Sequence, residues 1–343
     1  MVIGSLIASE FLKAPKHRKR RLTYDLNFNS SHRERLLAHG VDFFSGRAKS
    51  ALEIGAPPMA ETRTWKLAHG RSLELGRRAQ IMGVLNVTPD SFSDGGLFVD
   101  PDAAFRQAEI MLGQGASIID VGGESTRPGA EAIDAAEEQS RVLPVIERLA
   151  ERTGVLISVD TYRKETAMLA VKAGAHIVND VWGLHRDPAK AEIAAETGAG
   201  MVIMHTGRER EKLADVIEDQ KVFFRRSFEV SRSAGLSDNQ IVIDPGFGFA
   251  KDTEENLQLM ARARELLQFG YPVLAGTSRK RFLGAVTGRD AQDRDVATAA
   301  TSAILRLYGV AILRVHNVAF SADALAVADA MIAQTIDTGT PDV

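Results

Sequence analysis

From Gln80 onward, apolar and polar positions fall into a repeating rhythm. A short apolar run is followed by a polar loop, a stretch with helical spacing, a glycine, and the next apolar run. The apolar runs read IMGVLNV (81–87), SIIDVG (117–122), LISVD (156–160), HIVND (176–180), MVIMH (201–205), IVIDPG (241–246), PVLAGTS (272–278) and AILRVH (311–316). Near-continuous apolar runs of this length predict strands buried on both faces of a parallel sheet. Asp100-Pro101 predicts a helix N-cap followed by a proline at the first helical position. Gly115, Gly154, Gly174, Gly198, Gly235, Gly270 and Gly309 stand at the helix-to-strand joints, where a left-handed residue ends a helix. Eight strands with seven return joints predict a (β/α)8 TIM barrel. An open doubly wound sheet would carry a glycine-rich phosphate fingerprint after its first strand, and none follows residues 81–87.

The region before the rhythm divides in two. Residues 63–78, RTWKLAHGRSLELGRR, hold two short runs around His69-Gly70 and predict a β-hairpin. Residues 1–62 show no sustained periodicity and read as an N-terminal extension, with Met59 an alternative start, ahead of a barrel domain at 63–343. The basic run His17-Arg18-Lys19-Arg20-Arg21 reads as a solvated tail.

Composition narrows the function classes. With 45% apolar and 25% charged residues and a net charge of −3, the chain has no global basic field to draw nucleic acid or an anionic membrane. It contains no cysteine, which removes disulfide, thiolate and cysteine–metal chemistry and suits a cytoplasmic location. No apolar run reaches the length of a membrane span.

The strands are apolar at their starts and polar at their ends. Asn86 ends the first, and Gly122-Gly123-Glu124-Ser125-Thr126 follows the second. Asp160 ends the third, Asn179-Asp180 the fourth, His205 the fifth and Asp244 the sixth. Ser278-Arg279-Lys280 follows the seventh, and Arg314 and His316 end the eighth. Any one of these could be a cap or a turn residue. All eight together would leave costly unpaired groups unless a ligand met them at the barrel mouth. Asp160, Asn179 and Asp244 suit a flat heterocycle rich in N–H donors. Lys280, Arg314 and His316 supply cations and donors where barrels often hold phosphate. Asn86, with Asp90 nearby, suits a hard cation such as magnesium, whose shell phosphate and water complete.

These residues lie in recognisable surroundings. The stretch Asn86-Val87-Thr88-Pro89-Asp90-Ser91-Phe92-Ser93-Asp94-Gly95-Gly96 resembles the first signature of the dihydropteroate synthases. Asp120-Val121-Gly122-Gly123-Glu124-Ser125-Thr126-Arg127-Pro128-Gly129-Ala130 resembles the second. Shorter matches follow in family order at 158–161, 177–180, 244–249, 278–280 and 314–316, so that the resemblance covers about residues 63 to 335. It implies an enzyme that joins 6-hydroxymethyl-7,8-dihydropterin diphosphate to 4-aminobenzoate, giving 7,8-dihydropteroate and diphosphate in folate biosynthesis. It further implies that Asp160, Asn179, Asp244 and Lys280 hold the pterin, and that Arg314, His316 and a magnesium-bound Asn86 hold the diphosphate. Thr126 meets the substrate in the second loop. Arg127, Pro128, Phe249, Ser278 and Lys280 frame the aminobenzoate, in the pocket that sulfonamide inhibitors occupy. Family members are commonly homodimers. The glycine, serine and proline content of residues 88–99 and 123–132 predicts loops that close over the substrates and exclude water.

One stretch departs from the pattern. The family commonly has Met-His-Met-x-Gly-x-Pro after the fifth barrel strand. Here Met204-His205 runs into Thr206-Gly207-Arg208-Glu209-Arg210, without the second Met or the Pro. Readings of other classes fit less of the chain: an interaction protein acting through the basic N-terminal run finds no support in the rest of it. A methyltetrahydrofolate-dependent methyltransferase also uses a pterin-binding barrel, but it needs neither Arg314 and His316 nor the long first signature. An inactive pterin-binding paralogue should lack one or more of the site residues, and all are present.

Overall fold

Ten strands order the described part of the chain. The computed structural model describes residues 62–88, 100–124 and 133–337. The predicted extension up to residue 61, its basic run, and the tips of both signature loops lie outside the described residues.

Strand β1 (Arg63–Lys66) pairs antiparallel with β2 (Ser72–Leu75) as the hairpin the sequence predicts. Arg71 N–H closes the turn on the Ala68 carbonyl, and both central residues, His69 and Gly70, have positive φ. Turns of that hand match the twist of two paired strands. Trp65, Leu67 and Leu75 from the hairpin are buried against Met82, Ile118, Leu156, Ile177, Val202, Val242, Leu274 and Ile312. These are early residues of the barrel strands, so the hairpin plugs the end of the barrel remote from the polar strand ends. Its indole N–H is satisfied by the Gln240 carbonyl at 2.7 Å.

The barrel strands are β3 (Gln80–Asn86), β4 (Ile118–Gly122), β5 (Leu156–Asp160), β6 (Ile177–Asp180), β7 (Gly200–Met204), β8 (Ile241–Asp244), β9 (Leu274–Ala275) and β10 (Ile312–Val315). All their pairings are parallel, in the order β8-β7-β6-β5-β4-β3-β10-β9. A bridge from Ile243 to Val273 joins the two ends and closes the ring. Strand β9 is far shorter than the apolar run 272–278 predicts. Pro272 has no N–H to give a ladder, and Thr277 and Ser278 turn their hydroxyls to Thr301 and His316 instead.

The helices of the outer layer, among the described residues, are α1 (Pro101–Gly113), α2 (Ala135–Arg152), α3 (Lys164–Lys172), α4 (Lys190–Thr197), α5 (Val216–Ser233), α6 (Thr253–Ala261), α7 (Arg281–Thr287), α8 (Asp295–Leu307) and α9 (Val318–Asp337). The main apolar core lies between this layer and the outward faces of the strands. Asp100 caps α1, accepting from Asp102 N–H at 2.9 Å, and Pro101 follows it as predicted. Six of the seven joint glycines have positive φ; Gly154 does not. There the helix is ended by Thr153, whose extended backbone and hydroxyl both bond the Leu149 carbonyl. No helix among the described residues is long and apolar enough to cross a membrane.

Candidate active site

Parallel pairing brings the strand ends to one mouth and sets their relative heights. Asn86 pairs with Gly122, Gly122 with Asp160, and Asp160 with Asn179, so these four share one rung around the barrel. Gly122 has no side chain. A Cβ there would lie 3.6 Å from Asp160 Cβ and 3.9 Å from Asn86 Oδ1, in the space between them.

Arg314 rises from β10 and bridges two carboxylates. Its Nε donates to Asp120 Oδ2 at 2.6 Å and its Nη2 to Asp160 Oδ2 at 2.7 Å. Asn179 Nδ2 donates to the same Asp120 oxygen at 3.1 Å. Asp120 is fully buried, and its Oδ1 has no hydrogen-bond partner. In the sequence Asp120 stands only as the start of the second signature. Its position inside β4, rather than at a strand end, kept it out of the candidate set. The signal was present: a lone acid between Ile119 and Val121 in a strand buried throughout. Burial lowers the tendency of Arg314 to stay charged, but Asp120 and Asp160 outweigh it and raise its pKa further. Burial pushes Asp160 up to about 7, with the neighbouring Asp120 adding to it against the pull of Arg314.

Asp244 ends β8 on the other side of the mouth. Burial raises its pKa, while the charges of Lys280 and Arg314 and the Gly246 N–H, 2.7 Å from Oδ1, draw it back. Lys280 donates to the Phe247 carbonyl, and its ammonium sits 4.6 Å from the Phe249 ring centroid. Burial lowers its pKa to about 8. The turn that carries these contacts needs glycine: Gly246 has φ +66°, and a Cβ there would sit 1.8 Å from the His205 carbonyl oxygen. Behind it, Lys251 Nζ bonds Gly246 O and His205 Nδ1, both at 2.9 Å. Burial brings the Lys251 pKa down to about 7. His205 Nε2 in turn meets Asp219 Oδ2 at 2.9 Å. His205 is therefore a buried strut, held by Asp219 on one ring nitrogen and Lys251 on the other.

His316 and Ser278 form a pair. Ser278 Oγ accepts the His316 backbone N–H at 3.1 Å and lies 2.9 Å from Nδ1. An Oγ engaged in this way can give its own proton to Nδ1, which places the ring proton on Nε2. Asp180, next to Asn179, turns inward: it accepts the Trp182 and Leu184 N–H groups and lies 3.5 Å from the buried Lys190 ammonium. It caps its own loop. The end of β7 and the loops after β5, β6 and β8 add a small apolar cluster of Val181, Trp182 and Met204, with Tyr162 and Phe249 packed on it. Of the sequence candidates, the structure thus brings Asn86, Asp160, Asn179, Asp244, Phe249, Ser278, Lys280, Arg314 and His316 to one end of the barrel. Thr126, Arg127 and Pro128 lie outside the described residues.

A metal fits only in a particular way. Among the described residues, no three His, Cys, Asp or Glu side chains gather into a ligand set. Asn86 offers one hard amide oxygen at an open glycine rung. That suits magnesium, which is held by few protein oxygens and completed by substrate phosphate and water.

The arrangement has close relatives. The pterin binding enzyme family matches residues 82–316. The dihydropteroate synthase of Bacillus subtilis is 45% identical over 261 residues, covering 76% of this chain and 91% of that protein. The crystal structure of dihydropteroate synthase from Clostridium difficile in the presence of pteroic acid superposes with a TM-score of 0.73 at 44% identity, over 76% of this chain and 98% of that one. The Xanthomonas albilineans dihydropteroate synthase with 4-aminobenzoic acid gives 0.73 at 40% identity, over 81% and 100%. With a barrel, a mouth and relatives of this kind, the chain belongs to the pterin binding enzyme family, among the dihydropteroate synthases.

Proposed function

We propose that the protein joins 6-hydroxymethyl-7,8-dihydropterin diphosphate to 4-aminobenzoate, releasing 7,8-dihydropteroate and diphosphate, as a transferase of folate biosynthesis. The observation that carries the reading is the buried Asp120–Arg314–Asp160 bridge with Asn179 on one side of the mouth and Asp244 with Lys280 on the other. Acceptors and an amide gather at one end of the barrel with cations beside them.

In this reading Asp160, Asn179, Asp244 and Lys280 bind the pterin by its polar edge. Arg314 uses two of its N–H groups on carboxylates, which presets the guanidinium and leaves three donors. With His316 it stabilises charge as it develops on the departing diphosphate. Asn86 would hold magnesium, which when bound offsets diphosphate charge. As the C–O bond to the diphosphate breaks, the pterin ring shares positive charge with the methylene, and Asp160 and Asp244 favour that charge when ionised. The neutral aryl amine then attacks carbon and loses one N–H proton to water or the released diphosphate, so no strong general base is required. Phe249, Ser278 and Lys280, with Thr126, Arg127 and Pro128 of the second signature, frame the aminobenzoate.

Assembly as a homodimer is supported by exposed apolar side chains on two adjoining helices: Val296 and Ile304 on α8, and Phe320, Val327 and Met331 on α9. The test of function is direct. Purified protein with magnesium, the dihydropterin diphosphate and 4-aminobenzoate should form dihydropteroate, and the absence of that product with a folded protein would refute the assignment.

A further inference from the structure

The loop after β7 is where the chain departs from the family pattern, and it sets Arg208 at the barrel mouth. The Arg208 guanidinium carbon lies 4.8 Å from the Trp182 ring centroid and 4.6 Å from that of Phe249. Those rings come from the loops after β6 and β8, so the cation is held by both neighbouring loops. Its backbone N–H and Nε approach Thr206 Oγ1 at 3.2 and 3.3 Å, which fixes the stem. Arg210, two residues on, is fully engaged: Nε meets the Thr206 carbonyl at 2.8 Å, and Nη1 and Nη2 meet the Asp219 carboxylate at 2.9 and 2.5 Å. Arg208 differs. Its Nη2 is buried and has no hydrogen-bond partner among the described residues.

A buried donor on a cation is costly to leave unmatched. Packing a guanidinium on aromatic rings removes water from its faces and leaves its in-plane N–H groups as the places where it can bind. The electrostatic neighbours of Arg208 indicate which ligand that is. It is attracted by Asp160 and opposes the charge of Lys280, and Lys280 shares the Phe249 ring with it. Trp182 stands three residues after Asn179. Arg208 thus stands beside Asp160, Asn179 and Lys280, which face the heterocycle, while the second ring that holds it, Phe249, belongs to the aminobenzoate frame.

We propose that Arg208 is a further substrate-contacting residue, whose Nη2–H donates to a ring nitrogen or ring carbonyl of the bound bicyclic heterocycle while Trp182 and Phe249 hold the guanidinium in place. The inference rests on the pterin reading above and adds a contact from the loop in which this chain differs from the family pattern. It also gives the loop a function without the family's second methionine.

The test uses 6-hydroxymethylpterin, which lacks the diphosphate and does not react, titrated calorimetrically into the wild-type protein, R208M and R208K. R208M keeps the stem and loses the donors. R208K keeps the charge and loses the planar fork. Both should bind hydroxymethylpterin about tenfold more weakly or worse, as expected for one lost charge-assisted hydrogen bond. The KM for 4-aminobenzoate at saturating pterin diphosphate should stay within about twofold of wild type, and a thermal melt of each variant checks that it is folded. Wild-type affinity in a folded R208M or R208K overturns the proposal. So does a raised aminobenzoate KM with unchanged pterin affinity, which would assign Arg208 to the other substrate. A wild-type protein that fails to bind hydroxymethylpterin instead overturns the pterin reading itself, and the wild-type titration separates the two.

Discussion

Replacing Asp120 by Asn tests whether a carboxylate set below the rim, touching Arg314 and Asn179, fixes the geometry of the site. One carboxylate oxygen of Asp120 accepts from Arg314 at 2.6 Å and from Asn179 at 3.1 Å, and the other has no partner. Asn at this position keeps the shape. The Arg314 guanidinium then meets a neutral oxygen instead of a carboxylate, and the lost ion pair costs roughly 1.5–3 kcal/mol, the low end for a close charge pair. Asp160 still anchors Arg314 at 2.7 Å, so the guanidinium tilts rather than leaves. The expected outcome is a fall in kcat/KM of about 10- to 100-fold, since each 1.4 kcal/mol is about a factor of ten. A second readout follows from charge. Asp120 is among the groups that raise the Asp160 pKa to about 7. Without its charge that pKa falls, so the acidic limb of the kcat profile, where Asp160 ionises, should move to lower pH in D120N. Measuring dihydropteroate formation from pH 5.5 to 9 (~half-unit steps) gives both quantities. A rate within threefold of wild type with an unmoved acidic limb would refute the reasoning.

Other outcomes follow from the same geometry. Asp160→Asn removes the carboxylate that pairs Arg314 and faces the developing cation, and should lower turnover by about 100-fold or more in steady-state assays while the far-ultraviolet circular dichroism stays unchanged. Gly246→Ala places a methyl group on the His205 carbonyl at positive φ, and should lower Tm by about 5 °C or more in a thermal melt. Lys251 has a folded pKa near 7 against an ordinary value of 10.5. Between those values the unfolded chain binds more protons, so this lysine adds stability as pH rises from 7 toward 10.5. Urea unfolding at pH 7 and 9 should therefore show wild type gaining about 2 kcal/mol relative to Lys251→Met over that interval. Chelating magnesium should abolish turnover yet leave hydroxymethylpterin binding within about threefold, because Asn86 is placed with the diphosphate rather than the heterocycle.

Much of this was legible because a parallel barrel makes chain order into spatial order. Once eight apolar runs were counted, the residues ending them had to meet, and Asp160, Asn179, Asp244, Lys280 and Arg314 do lie at one mouth. Side chains that act inside a strand carry no such marker: Asp120 sits one turn of the pleat below the rim, and only coordinates show Arg314 reaching down to it. Gly154 illustrates a local limit, because a threonine hydroxyl bonded to the preceding turn can end a helix as a left-handed glycine does. β9 is shorter than its apolar run because Pro272 cannot donate and Thr277 and Ser278 have hydrogen bonds elsewhere, neither of which hydrophobicity reveals. The loop after His205 resisted reading for a further reason. Its order comes from Asp219 and the rings of Trp182 and Phe249, all distant in sequence.

The brief contact between β8 and β9 makes the barrel's seam its thinnest joint. Ile243 meets Val273 across it through one bridge, and the next residue along β8 is Asp244, while Lys280 follows β9 and already reaches over to the Phe247 carbonyl. A molecule gripped by Asp244 and Lys280 would stitch that joint as a clasp does a hoop. Losing the lysine would then slacken the hoop as well as remove a grip on the cargo, so a dead Lys280→Ala protein speaks to chemistry only when amide exchange at Ile243 and Val273 remains slow.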